Sequence, residues 1–308
     1  MGTRRRVAPR SQAVKAAVLC SARMRTAGLT AAALIGFAAN SLLCRMALRP
    51  RLLDAATFTS IRIVSGALAL LVLASVGAAS RTARNVPPVA AAGSWGSAAT
   101  LFAYAAAFSF AYLRIGAGAG ALLLFGAVQA TMLAWALRRG ERLRWPEWAG
   151  LVVAVVGLVA LVRPGLSAPD PAGAALMIAA GVAWGAYSLR GRGASRPLAA
   201  TASNFARAVP LAFALSLACI RAAHVSPRGA LLAAASGALS SGVGYSLWYA
   251  ALGGLTATQA AVVQLSVPVL VAAGGVTLLG EALTPRLVAC GAIILGGVAL
   301  AVLGRQKS

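Results

Sequence analysis

The sequence predicts an all-α integral membrane protein, with ten transmembrane helices arranged as two inverted five-helix repeats. Three observations lead there. The 308 residues are 60% hydrophobic and only 11% charged, with a mean hydropathy of +0.84, whereas a soluble domain needs about a quarter of its residues charged to cover its surface. Charge-free apolar runs recur at lengths suited to a hydrocarbon core about 30 Å thick, which takes about 20 helical residues. The second half of the chain also repeats features of the first. Strand-like alternation of apolar and polar residues is absent, which excludes an outer-membrane barrel. Disorder fails as well: the charge of +23, from 28 Lys+Arg against 5 Asp+Glu, accompanies high hydrophobicity.

The runs predict spans near 27–44, 55–76, 92–113, 116–137, 147–162, 172–189, 199–220, 230–252, 257–279 and 287–304. Two divisions need an argument. From Gly229 to Gly280 there are 52 uncharged residues, about 78 Å as a single helix, so the run breaks at Gly253-Gly254. Between Val86 and Leu137 only Arg114 interrupts, beside Gly116, Gly118 and Gly120, and that run also divides.

Orientation follows from the basic residues. With the N-terminus inside, 18 Lys and Arg fall in inner segments and 8 in outer loops, so both termini are expected in the cytoplasm. Residues 1–26 read as a separate basic tail, expected to be disordered, whose Arg4, Arg5, Arg6, Arg10, Lys15, Arg23 and Arg25 suit anionic lipid headgroups. Nucleic-acid binding does not explain the charge, which is scattered over membrane-flanking loops instead of being gathered on one face.

Chemistry that needs clustered ligands is not in view. Cys20, Cys44, Cys219 and Cys290 form neither a disulfide framework nor a zinc pattern. Asp54, Glu141, Glu147, Asp170 and Glu281 make no acidic metal motif, and His224 stands alone in a basic loop. No metal, no cofactor and no enzymatic activity is expected.

The internal repeat has an offset near 145 and then near 140. Gly36-Phe37-Ala38 lies over Gly181-Val182-Ala183, Arg45 over Arg190 and Arg62 over Arg207. Tyr104 then matches Tyr245, Phe108 matches Tyr249, and Gly140-Glu141-x-Leu143 matches Gly280-Glu281-x-Leu283. Each unit, 27–164 and 172–304, holds five spans. Five is odd, so the second unit enters the membrane in the opposite sense, as inverted repeats of secondary transporters do.

These features resemble the EamA family of the drug/metabolite transporter superfamily. The resemblance is carried by Gly-Glu-x-Leu before a glycine-rich last helix in each unit, Ala39-Asn40-Ser41-Leu42-Leu43-Cys44-Arg45, and Phe58-x-x-x-Arg62-x-x-x-Gly66. Gly244-Tyr245-x-x-Trp248-Tyr249-Ala250-Ala251-Leu252 and Gln264-Leu265-Ser266-x-Pro268-Val269 add to it. It covers residues 27–304 and implies a bacterial inner-membrane exporter of amino acids, metabolites or drugs. The units differ where they align: Ala127 stands opposite Pro268, and Gly185 opposite Asn40.

Several residues are candidates for a solute pathway. Arg62 and Arg207 are the basic residues set deepest in spans, where an arginine costs about 2.5–3.5 kcal/mol on insertion scales. Each has three readings open: snorkelling to headgroups, bonding of backbone carbonyls near a loop, or contact with solute or gate. Tyr104 with Phe108, Tyr245 with Tyr249, and Trp184 with Tyr187 share helix faces. With Trp248, they suit either an aromatic cavity or helix packing, while Tyr112, Trp145 and Trp148 fit an interfacial belt. Asn40, Gln129 and Gln264 are buried-amide candidates. Interhelical bonding worth about 0.6 kcal/mol explains any one of them, but Pro268 frees the carbonyl of Gln264 and so singles that residue out.

The function expected is secondary transport of a small organic solute, outward, through a cavity between the halves lined by the third, fourth, eighth and ninth helices. A channel-like pore and a non-transporting membrane scaffold are the alternatives.

Overall fold

A computed structural model describes residues 9–79, 89–140, 145–165, 168–192, 194–255, 260 and 263–304. Their regular structure is helical. The helices are α1 (Pro9–Leu48), α2 (Ala55–Ala79), α3 (Trp95–Tyr112), α4 (Ala117–Arg138) and α5 (Trp145–Val162), then α6 (Pro171–Arg190), α7 (Pro197–Ala218), α8 (Pro227–Leu252), α9 (Ser266–Leu279) and α10 (Pro285–Gly304). Proline opens α6, α7 and α8, where its missing N–H has no intrahelical partner to lose. Asp170, Ser94 and Ser226 cap α6, α3 and α8 by accepting from the amides of Gly173, Ser97 and Gly229.

Eight of these helices are long and apolar enough to cross a membrane: α1 through Ala22–Leu48, α2 through Ala55–Val76, and α4 to α8 with α10. The remaining two depart from the expected spans in different ways. α3 has 18 residues but includes one Trp, two Tyr and two Ser. α9 has 14 residues and begins at Ser266 instead of near 257. Pro268 stands in the first turn of α9. Just ahead of it Ala260, Val263 and Gln264 are helical and Leu265 keeps right-handed helical angles. The helical run is therefore interrupted and kinked at Leu265, shortly before the proline that lacks an N–H for the carbonyl of Gln264. At the other terminus α1 takes in most of the basic tail, starting at Pro9 and running through an alanine-rich stretch that favours helix.

The bundle is apolar on its outside. Val152, Val155, Val156 and Val159 of α5 are exposed, as are Leu278 of α9 and Leu300 of α10, a pattern that belongs to helices facing lipid. Inside, α5 packs on α10, α2 on α7, and α4 on α9, each helix meeting the one five places on; α3 packs on α6, while α8 packs on α1. Glycines permit the closest of these contacts. A side chain at Gly297 would overlap the backbone of Ala154 and Gly150, and one at Gly150 would overlap Ala301.

Loops meet in two groups. At one end the α1–α2 loop pairs with the α7–α8 loop through a Leu53–Val225 bridge. Asp54 there accepts from the amides of Thr57 (2.9 Å) and His224 (3.1 Å). Burial pushes the Asp54 carboxyl up, but these hydrogen bonds outweigh it and hold the group below the usual carboxylate range. Arg45 reaches Glu281, Arg114 reaches Asp170 and Arg286 reaches the carbonyl of Ala160 at this same end. At the other end Asn204 accepts from the amide of Ser94 (2.9 Å), and Arg190 donates to Ser97 (3.3 Å).

Within α8, Ser236–Val243 is π-helical, a form frequently found at functional sites. Its Ser236, Ser240 and Ser241 are buried.

Candidate functional site

A cavity of about 890 Å³ lies between the helices. Its wall takes residues from α1 and α3 to α8, with Ala260 and Gln264 ahead of α9 and Val298 and Ala301 from α10. The lining is therefore broader than the four helices expected. It runs out to the α6–α7 connection through Gly191, Arg192 and Ala194, and Glu147 in the first turn of α5 lines it there. The α3–α4 and α9–α10 connections do not contribute.

The inner wall is aromatic. Tyr104 lies 4.8 Å from Trp184 between ring centroids, Trp184 stacks on Tyr245 at 5.5 Å, and Phe37 meets Tyr245 and Trp248 at 5.8 and 5.7 Å. Tyr187 packs against Trp184, and Tyr249 exchanges a 3.0 Å hydrogen bond with Thr201. These rings come from α1, α3, α6 and α8, so their packing joins both halves of the sequence. Polar groups are few and placed. Asn40 donates to the Tyr104 hydroxyl (3.2 Å) and accepts from Ser236 Oγ (2.7 Å), and Asn204 donates to Tyr187 (3.4 Å). A large apolar surface with a handful of fixed polar groups suits an organic solute that is mostly apolar.

Of the twelve candidates from sequence, Asn40, Tyr104, Gln129, Trp184, Tyr187, Tyr245, Trp248, Tyr249 and Gln264 line this cavity. Gln129 thus shares the wall with Gln264. Pro268 is buried off the wall. Arg207 is also elsewhere: it bonds Ser203 and the carbonyl of Ala90 at the α2–α3 connection, which is the loop-carbonyl reading. Arg62 does not snorkel. It is 1% exposed, its Nη2 donates to Tyr104 (3.1 Å), and its guanidinium lies over the rings of Tyr104 and Phe108. Tyr112 leaves the expected belt: it is fully buried, edge-on at 4.7 Å to Phe108 one turn before it in α3, and its hydroxyl donates to the carbonyl of Ala117. Trp145 and Trp148 are exposed as a belt requires.

Sequence reasoning missed Phe37, Asn204, Thr201 and the serines of the π-helical segment. Small polar residues in an apolar run carry no hydropathy signal, although the spacing Ser236-x-x-x-Ser240-Ser241 was available.

The cavity stops at a closed end. There Arg45 Nε meets Glu281 Oε1 at 3.1 Å, and Glu281 Oε2 accepts from the amide of Ala117 at 2.8 Å. Arg45 also donates to the carbonyl of Tyr112 (2.6 Å), and Arg49 to that of Leu279 (2.5 Å). One ion pair thus ties the end of α1 to the α3–α4 and α9–α10 connections.

A helical, multi-pass membrane bundle enclosing a solute-sized cavity has the architecture of a carrier of small molecules. Comparison with known proteins agrees. The EamA-like transporter family matches residues 171–303. An uncharacterized protein of Pseudomonas aeruginosa, PA1977, is 51% identical over 281 residues, covering 91% of this chain and 96% of that one. The chain belongs to the EamA-like transporter family. It is also 28% identical to a probable amino-acid metabolite efflux pump of Salmonella typhimurium, over 64% of this chain and 72% of that one. A probable terminal-alkyne amino-acid exporter of Streptantibioticus cattleyicolor is 27% identical, over 80% and 84%. A crystal structure 22% identical in sequence shares the fold at a TM-score of 0.60, covering 90% of this chain and 98% of its own.

Proposed function

We propose that this protein is a secondary transporter of the bacterial inner membrane that exports a small organic solute, of amino-acid or related metabolite type, by alternating access. The observation that carries the reading is the central cavity, walled by both halves of the chain, extending to one end and shut at the other by the Arg45–Glu281 cluster. A carrier is expected to hold its solute between two such ends. The names given to the Salmonella and Streptantibioticus relatives point to amino-acid-like cargo leaving the cell.

Ten inserted helices in two inverted units, 27–164 and 172–304, fit the packing. The pairing of helices five places apart supports the repeat. The contacts at the two ends support the alternation: the segments at the connections after α1, α3, α5, α7 and α9 touch one another, while the start of α3 touches the end of α6 at Arg190 and α7 at Asn204. Both termini then lie on the cytoplasmic side, as the basic-residue count requires, where the basic start of α1 meets anionic lipid.

Counterflow in proteoliposomes tests the proposal. Vesicles preloaded with one unlabelled amino acid or metabolite, from a panel, should transiently concentrate the labelled form against its gradient. A pore equilibrates label without overshoot, and a scaffold moves none; either result rejects the carrier.

A further inference from the structure

Arg62 is the one fully buried cation of the bundle interior among the described residues, and it has no anionic partner. Its Nη1 is the buried side-chain atom left without a hydrogen-bond partner there. The groups that face it electrostatically are Tyr104, Tyr245 and Cys44, phenols and a thiol, none of them a carboxylate. The described acids are held elsewhere. Asp54 caps α2, Asp170 caps α6 beside Arg114, and Glu281 is on Arg45. Glu147, in the first turn of α5, lines the cavity itself, but at the end that reaches the α6–α7 connection with Arg192. A charge set in a membrane interior without an opposite charge marks a candidate functional site.

The place where an anionic partner fits is set by Tyr104. The Arg62 guanidinium carbon lies 5.2 Å from the Tyr104 ring centroid and 5.0 Å from that of Phe108, and both rings line the cavity. Nη2 bonds the Tyr104 hydroxyl, which Asn40 also bonds. The positive charge therefore sits one aromatic ring behind the wall, in surroundings of low dielectric where its field reaches the cavity with little screening. The backbone cannot retreat from this position. Gly237 of the π-helical segment lies so close to the Arg62 carbonyl that a side chain there would overlap it.

We propose that Arg62, acting through Tyr104, sets the charge preference of the cavity. It selects solutes carrying one anionic group, of which a carboxylate is the simplest, on an apolar or aromatic body that the Trp184–Tyr245–Trp248 wall accepts. Analogues of the same body that carry no anionic group, whether uncharged or cationic, are disfavoured. The inference rests on the transporter reading above and adds the property that cargo must have. Arg62 is a positioning residue in this scheme, so its signature is a ratio between ligands rather than a loss of all binding.

The test uses the full chain in lipid nanodiscs and four probes that share a phenyl body: 3-phenylpropionate, phenylalanine, phenethylamine and 3-phenylpropanol. Calorimetry gives each affinity. The two carboxylates should bind about tenfold or more tighter than the amine and the alcohol. Arg62→Gln should bring all four within about threefold of one another, and Arg62→Lys should keep most of the preference. Tyr104→Phe, which removes only the hydroxyl that receives Arg62, should also shrink the ratio, and it serves if Arg62→Gln does not fold. Equal affinities in the parent protein, no binding by any probe, or an unchanged ratio in a folded Arg62→Gln or Tyr104→Phe each overturns the proposal. Counterflow without charge preference removes the inference and leaves the transporter reading. Charge preference without counterflow by any solute does the reverse.

Discussion

Glu281→Gln removes one charge from the closed end of the cavity while keeping the shape of the side chain. In the parent protein this carboxylate accepts from Arg45 Nε and from the Ala117 amide, and the two partners of the ion pair are 13% and 16% exposed. Hydrogen bonds to charged groups contribute about 1.5–3 kcal/mol each. The glutamine retains one acceptor and the pair is partly hydrated, so the closed end should lose about 2 kcal/mol, which is about 30-fold in its ratio to an open end. The readout is access. Ser41 is buried and lines the cavity, so Ser41→Cys in a chain whose four cysteines are replaced by alanine reports entry of a membrane-impermeant maleimide added to intact cells. Glu281→Gln should raise the labelling rate by about tenfold or more. Arg45→Gln should raise it similarly, and the double variant should add little, because both act on one interaction. Labelling that stays at the parent rate in both single variants would refute the idea that this pair holds the end shut.

Three further outcomes are expected. Asp54→Asn should lower the melting temperature of the protein in detergent, with a gap that depends on pH. Because the folded carboxyl titrates below its unfolded value of about 3.9, its stabilisation is complete above that value and disappears as pH falls through the folded one, so parent and variant should converge in acid. Gln264→Leu and Pro268→Ala should depress flux at normal membrane abundance; Gln129 lines the same cavity, and Gln129→Leu is expected to leave flux nearly intact, so equal behaviour of all three would deny the ninth helix a special role. Gly237→Ala, whose new methyl meets Ser65 and the Arg62 backbone, should cost about 1–3 kcal/mol in thermal unfolding, whereas Gly296→Ala, with nothing within 4 Å, should be neutral.

Most ends of the helices were legible because their signals are local; the starts of α1 and α9 were not. Prolines at 171, 197, 227 and 285 open helices, and Gly140 and Gly280 close theirs with positive φ of 79° and 60°. The aromatic wall was legible too, since residues four apart on a helix share a face whatever the tertiary packing. Contacts between helices were harder to foresee. Arg62 and Arg207 align in the repeat and look alike in hydropathy, yet one is sealed behind Tyr104 and the other meets a loop carbonyl. That difference lies in what α2 and α7 pack against, which one-dimensional depth does not contain. Tyr112 misled for the same reason: its position near a helix end suggested a headgroup, but the face of α3 that it shares with Phe108 is turned into the bundle.

The π-helical segment of α8 has a consequence for how the aromatic wall is aimed. Nine α-helical steps of about 100° each would set Ser236 and Tyr245 on opposite sides of a rod. The wider turns of Ser236–Val243 absorb an additional residue and turn the remainder of α8 back by about one step. Both side chains then face inward, Ser236 onto Asn40 and Tyr245 onto Trp184. Deleting a single residue here would leave composition and span length essentially unaltered. It would still swing Tyr245, Trp248 and Tyr249 together, as a key turns in a lock, so a one-residue gap at this point in an aligned relative marks a differently faced cavity.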